Sequence, residues 1–398
     1  MNKWRASVAK APPSLRFVVL VGIMSFFADF TYEGSRSVLG PYLALLGAGA
    51  LTISSVTGFG ELLGYGLRLI SGRAADRTKR YWPISIGGYV VQMSVVPMLA
   101  LARSWQIAAL LIILERIGKA TRNPPRDAML SHAAKEMGYG WGFGLHEALD
   151  QFGAMFGPLA VAMVLAISHG DYAIAFASLS VPAAIMLSLL AVARAQYPRP
   201  QDLEPISAPV SGEGLPRVFW WYLTGAALAG AGFADFPLIA YHFETSRTVT
   251  GTLIPLFYAT AMAVSGAGSL LFGRLFDRVG IGILIPLTIV AAGFAPLVFL
   301  GGLWAGLIGV ALWGLGMGVQ ESIIPAAVAP MVSPNRRASA YGLFTGVYGV
   351  AWFLGSVVIG ALFYVSLNAV VAFCVVAELA ALPLLLKVRL QMSAQSDT

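Results

Sequence analysis

Leu297–Val319 reads LVFLGGLWAGLIGVALWGLGMGV, an apolar run without a single charge. A helix needs about 20 apolar residues to cross the hydrocarbon core of a bilayer, and this run is long enough. Comparable runs fill the rest of the 398 residues, which are 58% hydrophobic and only 11% charged. A soluble domain carries roughly 25% charged residues, so a soluble enzyme and a disordered chain are both excluded. A membrane β-barrel would alternate apolar and polar residues in segments of about ten, and these runs are continuous. The fold class is therefore all-α, a polytopic membrane protein.

The apolar runs divide into twelve spans, at 15–47, 51–75, 80–102, 105–134, 139–168, 171–193, 217–246, 250–277, 281–302, 303–332, 337–366 and 367–388. The longest polar break, 194–216, is rich in Pro and Ser and reads as a linker. It separates a six-helix bundle at 1–193 from another at 217–398. Lys and Arg gather in alternate connections, among them Arg73, Arg77, Lys79 and Arg80, then Arg194, Arg199 and Arg217, then Arg274 and Arg278. By the positive-inside rule both termini and the linker face the cytoplasm. The basic start before Phe17 leads into a run holding Asp29, and reads as a retained first helix, not a signal peptide. The net charge of +7 is explained by this topology and forms no stripe for nucleic acid. The single Cys374 has no disulfide partner, and the four His show no metal spacing. No cofactor and no metal are expected, and a monomer is.

The halves repeat one another. FADF at Phe27–Phe30 recurs at Phe233–Phe236, GRAADR at Gly72–Arg77 recurs as GRLFDR at Gly273–Arg278, and WGFGL at Trp141–Leu145 is echoed by SAYGL at Ser339–Leu343. Each GRxxDR follows the second helix of its half, so the duplicated units run parallel. Parallel six-helix repeats are a transporter arrangement with a site near the midplane between them.

With those motifs in view, the chain resembles the major facilitator superfamily over nearly its whole length. Gly72, Asp76, Arg77 and Arg80 match the GxxxDRxxxR loop of that family, and Gly273, Asp277 and Arg278 repeat it. Gly153, Gly157 and Pro158 resemble the GxxxGP of antiporter members, without the trailing glycines. The resemblance implies alternating access, with the loop closing the inner gate through a charge relay. The same glycine spacing is also simple close helix packing.

Ionisable residues inside spans cost roughly 2.5–3.5 kcal/mol each to insert, so they face a cavity or a partner. Asp29, Glu33 and Arg36 recur at helical spacing on one face of the first helix, with Tyr32 beside them. Glu61 and Arg68 lie on the second. Glu115, Lys119, Arg122 and Arg126 form a stripe on the fourth, with Arg116 and Asp127 adjacent, and His146, Glu147 and Asp150 lie on the fifth. The second half offers Asp235, Tyr241 and His242 on the seventh helix and Glu321 on the tenth. Structural pairs such as Glu33 with Arg36 or Glu115 with Lys119 are the plain alternative for any one of them. Taken together they are expected to line a substrate and proton site. Asp29 and Glu33, one turn apart, are expected to titrate as a unit under the influence of Arg36.

No GxxxxGK[ST] loop is present, so the expected drive is the proton gradient. The expected function is proton-coupled efflux of a small organic molecule from the cytoplasm across the inner membrane. Symport importing an organic anion or metal chelate is the alternative, and a non-transporting sensor is an alternative of another class. No enzymatic activity is expected, because no loop is long enough to build a soluble catalytic domain.

Overall fold

The computed structural model describes residues 12–137, 139–199, 215–320, 324, 327–328, 331–332 and 337–396, and they are helical almost throughout. In chain order the helices are α1 Pro13–Arg36, α2 Leu39–Leu45, α3 Ala50–Thr78, α4 Tyr81–Met98, α5 Trp105–Met137, α6 Tyr139–Ile167, α7 Tyr172–Ser178 and α8 Ser180–Gln196. They continue as α9 Arg217–Gly232, α10 Phe236–Ser246, α11 Ile254–Val279, α12 Leu284–Ala292, α13 Phe294–Leu300, α14 Leu303–Gly318, α15 Arg337–Val365, α16 Leu367–Ala380 and α17 Leu382–Ser396.

Among the described residues eight segments are long and apolar enough to cross a membrane, and α14 is a shorter apolar helix. The long helices α3 and α5 carry charges through their length and are less apolar. Several expected spans are broken helices. The span at 217–246 is interrupted between Gly232 and Phe236, where Asp235 has extended backbone and Pro237 opens the next helix. Proline suits a first helical turn because that turn leaves N–H groups unpaired anyway. Trp313 Nε1 donates to the Ala234 carbonyl at 2.8 Å and satisfies one of the groups the break exposes.

Contacts group the chain into two compact units. One contains residues 1–35, 67–102 and 110–208, and the other residues 36–66, 103–109 and 209–398. The first unit is built on a core of Phe17, Tyr81, Trp82, Tyr89, Met129 and Met186. Here α4 packs along α8, and Trp82 Nε1 reaches the Tyr197 carbonyl at 2.9 Å. The second unit centres on stacked and tilted rings of Phe233, Phe236, Tyr258, Phe294, Trp313 and Trp352. In it α11 packs on α14, α9 on α15 and α16, and α2 on α10. The division does not follow the polar break: α1 changes unit after Ser35 and α3 after Gly66, and 36–66 packs with 209–398.

Candidate functional site

Two backbone approaches position the buried charges of the first unit. A Cβ on Gly153 would lie 2.2 Å from the Phe26 carbonyl, and one on Gly157 equally close to that of Phe30. These glycines of α6 let it lie directly against α1, and Pro158 follows them. Gly88 of α4 and Gly118 of α5 face one another in the same way: a Cβ on Gly88 would lie 2.7 Å from the Gly118 carbonyl, and one on Gly118 2.8 Å from that of Gly88. That contact brings Gln92 of α4 alongside Arg122 of α5.

Arg122 is fully buried. Its Nε donates to Gln92 Oε1 at 2.5 Å, Nη1 to the Tyr89 hydroxyl at 3.2 Å and Nη2 to Asp29 Oδ1 at 3.3 Å. The guanidinium also lies over the Tyr89 ring, 4.6 Å from its centroid. Gln92 passes the network on by donating to Glu115 Oε1 at 2.7 Å. Arg116 lies 3.6 Å from Glu115. Tyr32 receives two cations on its ring, Lys119 Nζ at 3.7 Å and Arg116 at 5.0 Å. Buried charges persist when paired and hydrogen-bonded, and Arg122 meets both conditions.

A second cluster adjoins on α1, α5 and α6. His146 and the Ser25 hydroxyl are 2.7 Å apart, and Arg126 donates to that hydroxyl at 3.3 Å while pairing with Asp127 at 2.8 Å. Asp150 lies within hydrogen-bonding reach of the Asp29 carboxyl. Its Oδ1 is buried and receives no hydrogen bond from any described donor. Two facing carboxylates repel when both are ionised, and one shared proton relieves that repulsion.

The second unit holds another centre. Asp235, at the helix break, accepts from Thr57, Ser356 and Trp352 Nε1, each at 3.2 Å. Arg36 stands 3.7 Å from Asp235 and 3.3 Å from Glu61. The sequence grouped Asp29, Glu33 and Arg36 by helix face. The structure gives Asp29 an arginine from α5 and takes Arg36 to Glu61 and Asp235, where 100° of rotation per residue matters less than which helix packs alongside. Glu115 likewise pairs with Arg116 and Gln92 while Lys119 goes to Tyr32. Glu33 is buried.

The other expected site residues lie apart. Tyr241 packs edge-on against Phe363, and His242 is enclosed by Phe243, Phe299 and Phe363, an aromatic setting that suits packing. Arg77, Arg80 and Arg278 are exposed. A Cβ on Gly72 would touch Pro124 at 3.4 Å, ordinary contact. The side chains of Asp76 and Asp277, the surroundings of Gly273 and the whole of Glu321 lie outside the described residues. Among the described residues no group of His, Cys, Asp and Glu could hold a metal. Ser25, Tyr89 and Gln92 were not among the expected site residues. Gln92 had a signal, a lone polar residue in VVQMSVV. Glu378 had the same signal in AVVAFCVVAEL; it is buried, with Oε1 lacking a partner among the described residues.

Comparisons with known proteins agree with this architecture. The family model described as Major Facilitator Superfamily matches residues 21–319 and 233–396. An uncharacterized protein of Mycobacterium tuberculosis is 39% identical over 387 residues, covering 96% of this chain and 95% of that protein. An uncharacterized MFS-type transporter of Methanocaldococcus jannaschii is 26% identical over 370 residues, 88% of this chain and 89% of its own. Among solved structures, a POT family transporter in complex with a thioalcohol-conjugated peptide superposes with a TM-score of 0.74 at 13% identity, covering 95% of this chain and 96% of that one. The nucleoside transporter NupG gives 0.70 at 15% identity, covering 94% and 99%. At such identities the structural likeness establishes the fold. The chain belongs to the major facilitator superfamily, and is a multi-pass membrane transporter of a small molecule, not an enzyme.

Proposed function

We propose that the protein is a proton-coupled antiporter that exports a small organic molecule, with Asp29 and Asp150 as the proton-carrying pair. The observation that carries this reading is the Asp150 carboxyl set against the Asp29–Arg122 pair, with one buried oxygen lacking a donor. That is the environment of an acid that holds a proton until something cationic replaces it. The membrane potential supplies ~2.3 kcal/mol per charge per 100 mV, enough to drive such an exchange uphill. Cargo and proton then compete for one site, which is the thermodynamic requirement for antiport.

In this reading the termini and the 194–216 linker are cytoplasmic in a cell inner membrane, following the Lys and Arg asymmetry. The Gly72–Arg80 loop and its repeat gate the inner side, and the protein works as a monomer with its six-helix halves as the moving parts. Arg36, at the far end of α1 from the N-terminus, then locks the outer side through Glu61 and Asp235.

Two measurements test this. Purified protein in weakly buffered detergent is titrated with candidate cargoes while a pH dye records protons. Proton release that is lost in Asp150→Asn and Asp29→Asn is expected. Net proton uptake on binding would replace antiport with symport. Tags at both termini and in the linker should all report from the cytoplasm, and one external report would overturn the topology.

A further inference from the structure

The second unit presents cations on an outward face where two membrane-spanning helices end. The apolar span Arg217–Ser246 begins with α9, and the span Leu367–Met392 finishes within α17. The two helices pack against one another. One span starts where the other finishes, so Arg217 and Lys387 lie toward the same membrane surface. On α9, Arg217, Trp220, Trp221 and Thr224 are all exposed, and spacings of three and four residues place them on one side of the helix. On α17, Pro383, Leu386, Lys387 and Leu390 are exposed at the same spacings. The two stripes meet at a measured contact: the Lys387 ammonium lies 3.6 Å from the centre of the Trp221 ring. Arg217 stands one helical turn from Trp221, nearer the membrane surface.

Among the described residues no carboxylate comes within 4.0 Å of Arg217 or Lys387. The positive-inside rule accounts for basic residues at a membrane surface. It does not account for an ammonium laid on an indole ring, one turn from an arginine, with exposed apolar side chains along the same seam. The Trp221 ring holds the Lys387 ammonium by cation–π attraction and restrains where it points. Indole rings belong at the headgroup level, because one edge is polar and the rest apolar. We infer that the seam between α9 and α17 binds an anionic phospholipid, with its phosphate on Arg217 and Lys387 and an acyl chain against Trp220 and Leu386. The face is cationic toward the surface and apolar beside it, which matches the charge and polarity of such a lipid. A soluble anion would engage the cations and leave Trp220 and Leu386 bare. Arg389 offers an internal comparison. It lies two residues beyond Lys387, about 200° around the helix, where a Cβ on Gly282 would be 3.1 Å from its Nε. It carries the same charge on the same helix without belonging to the seam. The inference is independent of cargo and of proton coupling.

Native mass spectrometry of the intact purified protein in detergent tests it, with titration by phosphatidylglycerol and by phosphatidylcholine of identical chains. The wild type should hold its first phosphatidylglycerol about tenfold more tightly than phosphatidylcholine, the scale of two basic residues acting on one headgroup. Lys387→Gln and Arg217→Gln should each lower that preference several-fold, and the double variant should abolish it. Lys387→Arg should keep most of it. Arg389→Gln, an equal change of charge, should leave it intact. Equal affinity of the wild type for the two lipids overturns the inference, as does a preference that neither Lys387→Gln nor Arg217→Gln lowers. A preference that falls as far in Arg389→Gln overturns it too, because the lipid then answers to the general surface charge. Glycerol phosphate that competes as well as intact phosphatidylglycerol would replace the lipid with a soluble anion and overturn it likewise.

Discussion

Asp29 and Asp235 occupy the same position in the repeated FADF, and both are buried, yet they are held differently. Asp29 takes its cation from α5, a helix of the same unit whose stripe of charges is fixed by Tyr89 and Gln92. The corresponding helix of the second half begins with α14, whose residues Leu303–Gly318 contain no charge. Asp235 instead receives three neutral donors, plus Arg36 from the end of α1 at the longer distance of 3.7 Å. The first centre cannot lose its arginine without stranding a carboxylate. The second can, because Thr57, Ser356 and Trp352 remain. The duplication thus supplied two equivalent aspartates, one now paired with an arginine of its own unit and the other held mainly by neutral donors.

The largest effect should come from removing Arg122. Breaking a buried pair from one side costs about 3–5 kcal/mol, so Arg122→Ala should lower the melting temperature sharply. Adding Asp29→Asn should recover much of that loss, because the uncompensated charge is gone. A double variant no more stable than Arg122→Ala would show that the two do not act as a pair.

Next in size is the contrast between the aspartates themselves. Asp29→Asn should abolish proton-driven transport while leaving downhill exchange measurable in proteoliposomes. Asp235→Asn should retain proton-driven transport within a few-fold, since an amide oxygen in the place of Oδ2 still accepts from Thr57 and Ser356. Equal losses in both would show that the two aspartates do the same work.

A smaller effect is expected at Arg36. Its removal leaves Asp235 hydrogen-bonded, so Arg36→Ala should cost about 1–3 kcal/mol at most. Its effect should appear in opening. Ser54 is buried, and its side chain lies where a Cβ on Gly360 would fall. In a Cys374→Ala background, Ser54→Cys should react with a membrane-impermeant thiol reagent several-fold faster once Arg36 is Ala. An unchanged labelling rate would show that Arg36 does not hold α3 against α15.

The smallest effect should be at His242. Its ring sits among Phe243, Phe299 and Phe363, so His242→Phe should change stability by less than about 1.5 kcal/mol, as volume-conserving core changes do. Transport should be unaffected, and a lost proton signal would return His242 to the coupling site.

The sequence by itself determined the membrane class, the broad placement of the spans and the internal repeat. Transfer energies summed over a run of apolar residues are large, additive and indifferent to neighbours, so Leu297–Val319 identifies itself. The duplicated GRxxDR and FADF are likewise readable in one dimension. Tertiary structure alone decided how the buried charges pair. Asp29, Glu33 and Arg36 share a helix face, but arginine and carboxylate partners are chosen by whichever helix packs alongside. Those approaches depend on close backbone contacts such as Gly88 with Gly118. The break at Phe233–Asp235 also escaped the apolar pattern, because hydropathy is the same for a helix and for the extended residues that interrupt it. Burial makes a charge demand a partner, and only the packed helices determine which partner is within reach.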